Sequence, residues 1–235
     1  MIIERPGDSR GHARHGGWLD SRHTFSFGSY YDPQWMGFGP LRVINEDRVA
    51  GGGGFPPHGH ANMEIISIVL DGALAHEDSA GGGGTIARGE VQWMGAGHGV
   101  QHSEFNASRT EPVHFLQVWI QPDRVNMPPG YAQRSPQPGD ADGDWVLLAS
   151  PDGAEGSIAI RQDARLFRAS LGPGASASRT LDGGRRYWLQ VTRGTVLAAG
   201  RVLRAGDALG FVDEADPLQI EANGEAELLL FDLPR

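Results

Sequence analysis

Short apolar segments follow one another along the whole chain, separated by Gly, Pro, Asp and Asn residues. This pattern is typical of strands joined by turns. Several segments are rich in Ile, Val, Trp and Phe, which favour a pleated, half-buried surface. No stretch keeps the helical apolar period over three turns, so no long helix is expected. The clearest predicted strands are Ile65–Leu70, Val91–Met94, Phe115–Ile120, Tyr187–Val191, Thr195–Ala198 and Glu227–Phe231.

Many short strands without intervening helices predict an all-β fold, either a sandwich or a barrel. The length of 235 residues suits one large all-β domain or two small ones. Gly occurs 35 times, about twice the usual share of roughly 7%, which is typical of a turn-rich protein. The two glycine runs, Gly51–Gly54 and Gly81–Gly84, are expected to form loops.

A weak internal repeat favours two related units. The stretch Glu64–Gly72 resembles Arg186–Gly194, and the closing stretch Phe115–Pro122 resembles Leu228–Pro234. From Pro122 to Pro151 the composition shifts to Pro, Gly, Asp, Gln and Arg, as in a linker. We therefore expect an N-terminal domain over residues 1–130, a Pro/Gly-rich linker over residues 131–143, and a second domain over residues 144–235.

The composition narrows the chemistry that the chain can perform. It contains no Cys, which excludes disulfides, thiolate metal sites and Cys nucleophiles. It contains no Lys, which excludes Schiff-base chemistry and any P-loop lysine. None of the nine His residues lies after His114, so imidazole ligands and acid–base groups belong to the first half of the chain.

The charge and hydropathy patterns narrow the partners and the location. A net charge of −9 argues against direct binding to nucleic acid or to an anionic membrane, because both need a positive patch. The arginines over residues 185–204 are the only candidate patch, and a solvated strand face explains them. No apolar run has the length of a membrane span or a signal-peptide core, so a soluble cytoplasmic protein is expected.

Two short motifs carry the strongest candidate chemistry, His58-x-His60 and His102-x-Glu104. Alternate side chains of a strand share a face, so the two residues of each pair can point the same way. If the two strands are neighbours inside a barrel, three imidazoles and a carboxylate converge. Either pair alone would more often be ordinary surface residues, but both together favour a divalent-metal site with open positions for substrate.

The residues around these motifs resemble known families. Gly54–Gly72 resembles the first cupin motif, and Gly89–His102 resembles the second. More specifically, the chain resembles the pirin family, and within it the bacterial pirin-like quercetin 2,3-dioxygenases. The match is dense from about His12 to Pro122, whereas beyond Gly130 only the length and the strand pattern agree. Four stretches carry the resemblance: His23–Tyr30, Met36–Asp47, His76–Ser79 and Gln92–Phe105.

The resemblance implies a bicupin, with two jelly-roll β-barrels facing each other and a metal site in the N-terminal barrel only. It implies the metal ligands His58, His60, His102 and Glu104. Cupins in general take the carboxylate from the first motif, here Glu64, and strand geometry alone does not exclude that residue. We expect Glu104 to be the metal ligand and catalytic base, with Glu64 as a hydrogen-bond partner of the ligands.

Further residues are candidates for the pocket around this site. His98 occupies a loop position that varies within the family, and it either contacts the pocket or simply lies in a tight turn. Phe25 and Phe27 either pack in the core or form an apolar wall for a flat aromatic ligand. His15 is expected on the surface, and His23 near the mouth of the pocket.

The resemblance implies a metal-dependent dioxygenase that cleaves quercetin-like flavonols and releases carbon monoxide. A flavonol-like aromatic molecule and dioxygen would be its partners, and Glu104 would accept the proton of the 3-hydroxyl group. We favour iron as the metal, with manganese, cobalt, nickel, copper and zinc as alternatives. The alternative function is a non-catalytic, metal-binding regulator acting through protein partners, and a different reaction on the same scaffold is a third hypothesis. The internal duplication favours a monomer.

Overall fold

Strands make up nearly all of the regular secondary structure. The computed structural model of the protein describes residues 1–79, 81–137, 140 and 143–235. Its two helices are single 3₁₀ turns, Gly7–Ser9 and Ala154–Gly156. No helix in the described ranges is long and apolar enough to cross a membrane. The predicted strands are confirmed, because each lies within an observed one.

Two compact units divide the described chain, and the first is called here the N-terminal barrel. It comprises Gly11–Pro136 and Ile160–Gln162. Its strands are β2 (Gly11–His15), β3 (Leu19–His23), β4 (Leu41–Val49), β5 (Gly54–His60), β6 (Glu64–Asp71), β7 (Ala73–Asp78), β8 (Gly83–Ala87), β9 (Val91–Gly95), β10 (Val100–Asn106), β11 (Val113–Ile120) and β12 (Gly130–Arg134). They form a seven-stranded sheet, β12-β9-β6-β11-β4-β3-β2, and a four-stranded sheet, β5-β10-β7-β8.

The second unit is called here the C-terminal barrel. It comprises Met1–Arg10, Gln137–Ala159 and Asp163–Arg235. Its strands are β1 (Ile2–Arg5), β13 (Val146–Ser150), β14 (Ile158–Ala159), β15 (Arg165–Leu171), β16 (Ser176–Arg179), β17 (Arg186–Arg193), β18 (Thr195–Ala198), β19 (Arg201–Arg204), β20 (Ala208–Val212), β21 (Leu218–Ala222) and β22 (Ala226–Leu233). They form the sheets β1-β20-β17-β22-β15-β13-β14 and β16-β21-β18-β19.

The two barrels share one strand order. The run β9-β6-β11-β4 corresponds to β20-β17-β22-β15, and the sheet β5-β10-β7-β8 corresponds to β16-β21-β18-β19. The segments matched in the sequence, β6 with β17 and β11 with β22, hold equivalent central positions. The predicted internal repeat and the all-β, two-barrel architecture are therefore confirmed.

The edge strands divide the chain differently from the predicted domains 1–130 and 144–235. β1 pairs with β20 of the C-terminal barrel, and β12 pairs with β9 of the N-terminal barrel. An edge strand belongs to the sheet with which its backbone N–H and C=O groups form hydrogen bonds. β1 therefore belongs to the C-terminal barrel, and β12 to the N-terminal barrel. Of the predicted linker, residues 138, 139, 141 and 142 lie outside the described residues. The domain limits themselves stay a prediction.

The interiors of the two barrels differ in polarity. In the C-terminal barrel, one continuous cluster of buried apolar side chains includes Phe167, Leu189 and Leu230. The N-terminal barrel has separate apolar clusters around Phe115 and around Ile65. Buried polar side chains also lie on its strands, among them Asn45, Asp47, Ser67, Gln92, His102, Glu104 and Gln117. The polar interior therefore marks the N-terminal barrel as the place for chemistry.

The glycine runs are only partly loops. Gly54 begins β5 opposite Phe105, and a Cβ atom on Gly54 would stand 2.3 Å from Cδ1 of Phe105. Glycine is thus needed for the close approach of these strands. Gly83 and Gly84 pair with β7 as the start of β8. The predicted loops are wrong at these C-terminal ends.

Candidate metal centre

Strands β5 and β10 are antiparallel neighbours and bring the two histidine motifs together. His58 lies directly opposite His102, whereas Glu104 pairs with Phe55 after a shift of register. The bulge falls at the proline pair of residues 56 and 57. Proline has no N–H for a strand ladder and is tolerated where the ladder is interrupted. The local sequence thus explains both the pairing and its interruption.

The three imidazole rings form a tight group, named here the His cluster: His58, His60 and His102. One ring nitrogen from each lies within 4.8 Å of the others, and the Nε2 atoms of His60 and His102 are 3.1 Å apart. Two nitrogens bound at about 2.1 Å and a right angle to one ion would be separated by about 3 Å. His58 Nδ1 donates a hydrogen bond to the carbonyl of Pro56 at 2.8 Å, which leaves the Nε2 lone pair available to a metal ion. The donor set therefore fits a divalent metal ion.

Burial keeps the rings of His60 and His102 neutral at neutral pH. It lowers the pKa of His60 to about 4, and the positive charges of His102 and His58 act in the same direction. Burial also lowers the pKa of His102 to about 4, with a further contribution from His58. Neutral imidazoles offer their lone pairs at neutral pH, so protons compete little with a metal ion.

Glu104 lies beside the His cluster and is held from two sides. Its Oε2 atom is 4.0 Å from Nε2 of His102. Ser67 Oγ donates to Oε1 at 3.3 Å, and Gln117 Nε2 donates to Oε2 at 2.7 Å. Burial raises the pKa of Glu104, while the bonds from Gln117 and Ser67 act against this rise. Glu104 is thus an oriented carboxyl group with increased proton affinity.

Glu64, the alternative carboxylate, faces different partners. Its Oε2 atom accepts hydrogen bonds from Nε1 of Trp93 and from the backbone N–H of Arg161, both at 2.9 Å. Glu64 would share a face with His58 and His60 only if all three lay on one continuous strand. The chain instead turns at Asn62, with φ of 51°, between β5 and β6. The structure therefore places the Glu64 carboxylate against Trp93 and Arg161.

A cavity of about 410 Å³ in the N-terminal barrel is lined by His58 and His60 of the His cluster and by Glu104. Aromatic side chains form its walls, with Trp119 edge-on to His60 at 4.9 Å between ring centroids and to Phe27 at 5.4 Å. Apart from histidines, no basic side chain is found among the described residues that line it. Its shape and polarity suit a flat, uncharged aromatic molecule.

The predicted pocket residues are only partly found around this cavity. Phe27 lines it, whereas Phe25 is 1% exposed in the core. His98 is exposed and donates its backbone N–H to the carbonyl of Met127, as a turn residue does. His23 lines the cavity near its predicted place, and His15, expected on the surface, is exposed but also lines the cavity.

Sequence reasoning missed a set of polar and aromatic residues that line the cavity or hold Glu104. The available signal was the alternation Asn45-x-Asp47 in a strand, since two polar residues on one face of an apolar strand are unusual. The set consists of Trp18, Asn45, Asp47, Ser67, Gln117 and Trp119.

Asp47 carries a strongly perturbed carboxyl group that faces the cavity. Burial raises its pKa from 3.8 to about 7, a hydrogen bond with Ser21 acts against this, and the charges of Glu104 and Glu46 add to the rise. The side chain is 5% exposed and faces the cavity. Asp47 therefore changes its charge near neutral pH in the absence of metal.

Replacing Asp47 with Asn is expected to flatten the pH dependence of stability in chelator-treated protein. The folded pKa of about 7 lies above the reference value of 3.8, so this side chain lowers the free energy of unfolding as pH rises between these values. When the pH rises from about 5 to about 8, the free energy of unfolding should fall by roughly 2–3 kcal/mol more in the natural protein than in the variant. Urea unfolding at both pH values measures this. Asp123→Asn, which removes an exposed carboxylate of the same barrel, is the control. Equal losses in all three proteins would contradict the expectation.

The two-barrel fold and the His cluster define the chain as a bicupin with a candidate metal centre in its N-terminal barrel. The family profile described as Pirin matches residues 7–120, and that described as Quercetinase C-terminal cupin domain matches residues 147–233. The chain belongs to the pirin family. The resemblance seen in the motifs is thereby confirmed, and it extends through the second barrel.

Individual relatives cover the whole chain. It is 44% identical over 234 residues to quercetin 2,3-dioxygenase of Escherichia coli K12, covering 100% of this chain and 99% of the relative. It is 42% identical to a pirin-like protein of Caulobacter vibrioides, covering 99% of both. The crystal structure of the bacterial pirin YhhW from E. coli, in complex with nickel(II), superposes with a TM-score of 0.93 at 43% identity, covering 100% of this chain and 99% of that one.

Proposed function

We propose that this protein is a metal-dependent dioxygenase that cleaves quercetin-like flavonols with release of carbon monoxide, in the cytoplasm and as a monomer. The observation that carries the proposal is the placement of His58, His60 and Glu104 at an aromatic-walled cavity of about 410 Å³, with His102 completing the His cluster behind them. The naming of full-length relatives as quercetin 2,3-dioxygenases supports the substrate and the reaction.

His58, His60, His102 and Glu104 would hold the metal ion. The nitrogen donors and the carboxylate suit iron, which we favour, and also manganese, cobalt, nickel, copper and zinc. The structure of the relative with nickel(II) supports a divalent ion at this fold. When bound, a divalent metal lowers the pKa of a substrate hydroxyl group and assists its reaction with dioxygen.

Glu104 is proposed to take the proton of the flavonol 3-hydroxyl group. Ser67 and Gln117 fix the orientation of its carboxylate through their hydrogen bonds. Its raised pKa increases its affinity for a proton at neutral pH, as a general base requires. Phe27 and Trp119 would hold the flat rings and keep water away from the reacting group.

The test is turnover of quercetin by protein loaded in turn with each candidate metal. The expected result is consumption of quercetin and dioxygen with release of carbon monoxide, and elemental analysis of the purified protein identifies the resident metal. No turnover above the free-metal background with any metal would overturn the proposal. If capture of a protein partner then depended on His58 and His60, the regulatory alternative would take its place.

A further inference from the structure

A row of polar side chains crosses the inner face of the larger sheet in the N-terminal barrel. The row runs in register from β3 through β4, β11 and β6 to β9. Each of its members is at least nine-tenths buried. The members are His23, Asn45, Gln117, Ser67 and Gln92.

The equivalent row in the C-terminal barrel is apolar. The internal repeat aligns Ser67 with Leu189 and Gln117 with Leu230. The corresponding register row reads Phe167, Leu230, Leu189 and Leu209, and all four belong to the apolar core of that barrel. The same strand order thus accommodates apolar residues at these positions, so the fold does not require the polar row. We therefore relate the polar side chains of this row to the cavity and the metal centre.

Glu104 accounts for only part of this row. Gln117 and Ser67 donate hydrogen bonds to Glu104. Asn45, and Asp47 two residues further on the same face of β4, are 3% and 5% exposed and line the cavity. Atom Oδ1 of each has no hydrogen-bond partner among the described residues. Buried acceptors without partners are unfavourable, so these two oxygens are suited to a donor that enters the cavity.

The position of this pair relative to the metal centre suits a second anchoring point. Asn45 lies directly opposite Gln117, the residue that holds Glu104. Adjacent strands are about 4.8 Å apart, so Asn45 and Asp47 lie within the span of a flavonol from Glu104. The His cluster aside, the cavity lining offers no strongly basic group to balance a carboxylate. The donor it suits is therefore an uncharged hydroxyl group on an aromatic ring.

We propose that Asn45 and Asp47 form a hydroxyl-binding subsite, which selects polyhydroxylated flavonols by accepting hydrogen bonds from ring hydroxyl groups other than the one at the metal. This inference rests on the proposed function for its substrate class. It assigns to the two residues a role in positioning and specificity, separate from the proton transfer by Glu104. Trp18 and Trp119 line the same cavity, so binding there can be followed by tryptophan fluorescence.

The experiment compares quercetin with 3-hydroxyflavone, which keeps the hydroxyl–carbonyl pair for the metal but lacks the other ring hydroxyl groups. Metal-loaded natural protein, Asn45→Leu and Asp47→Leu are measured for kcat/KM and, without oxygen, for binding. In each variant, kcat/KM for quercetin is expected to fall roughly 10- to 100-fold, while that for 3-hydroxyflavone changes less than about threefold. The binding affinity for quercetin should fall by a similar factor, and the affinity for 3-hydroxyflavone should again change less than about threefold.

Two further variants separate recognition from structural damage. Asp47→Asn keeps a carbonyl oxygen as acceptor, and it should recover most of the preference for quercetin that Asp47→Leu loses. Glu46→Gln alters a largely buried carboxylate on the same strand that bonds with His114 instead of lining the cavity, and it should keep the natural preference. Metal content and thermal unfolding confirm that each variant is folded and loaded.

The outcomes distinguish this inference from the proposed function. If both compounds lose turnover and affinity equally in the Leu variants, or if the natural protein does not prefer quercetin, the subsite is overturned while the dioxygenase activity can stand. If neither flavonol is turned over, but quercetin binds more tightly and the Leu variants remove this preference, the subsite is supported and the proposed reaction fails.

Discussion

Replacing Glu104 with Gln is expected to lower quercetin turnover by about 10²- to 10⁴-fold, the usual contribution of a general base. The amide has nearly the same shape, but it cannot accept the hydroxyl proton. The His cluster remains intact in this variant, so the metal content should fall much less than the activity. Steady-state oxygen consumption and elemental analysis on the same preparation measure both quantities.

Glu64→Gln is the matched comparison, because Glu64 and Glu104 are 1% and 2% exposed and were the two candidate carboxylates. Glu64 accepts hydrogen bonds from Trp93 and from the backbone of Arg161. Its replacement should therefore lower thermal stability, while turnover stays within a few-fold of the natural protein. A large loss of turnover in Glu64→Gln with little loss in Glu104→Gln would reverse the assignment of the base.

Replacing His102 with Ala is expected to weaken binding of a divalent metal by at least about 100-fold. Loss of a residue that only hydrogen-bonds to a metal ligand already lowers metal affinity about 10- to 100-fold, and loss of a ligand should lower it further. His102 is the most buried ring of the cluster at 4% exposed, and its Nε2 lies 3.1 Å from that of His60. Titration calorimetry with nickel(II), followed by dialysis and elemental analysis, measures the loss.

The control for metal binding is His98→Ala, which removes an exposed imidazole outside the His cluster. Its nickel(II) affinity should equal that of the natural protein. If His102→Ala retained full affinity while His98→Ala lost it, the metal would lie elsewhere, and the proposed ligand set would be abandoned.

Much of the architecture could be predicted because its signals are local. A strand such as β6 needs only a run of Ile and Val between turn residues, and the period of two places His58 and His60 on one side. The repeat between β6 and β17 was visible because equivalent strands keep their turn glycines. Edge strands were less predictable, since β1 joins the sheet of a barrel whose other strands begin far along the chain.

The choice between Glu64 and Glu104 could not be made from the local sequence. Side-chain parity is meaningful only within one continuous strand, and the left-handed turn at Asn62 breaks that continuity before Glu64. The hydrogen bonds of Ser67 and Gln117 with Glu104 join residues from three strands. Such contacts depend on register between strands, which no short window of sequence contains.

The sequence by itself determined the all-β class, the duplication, the absence of thiol and amine chemistry, and the confinement of histidine to the first half of the chain. These follow from composition and local periodicity. Only the tertiary structure decided that β5 and β10 bring three imidazoles together and that the inner face beside them is polar in one barrel and apolar in the other. Both depend on strand pairing, because pairing determines which distant side chains share one buried surface.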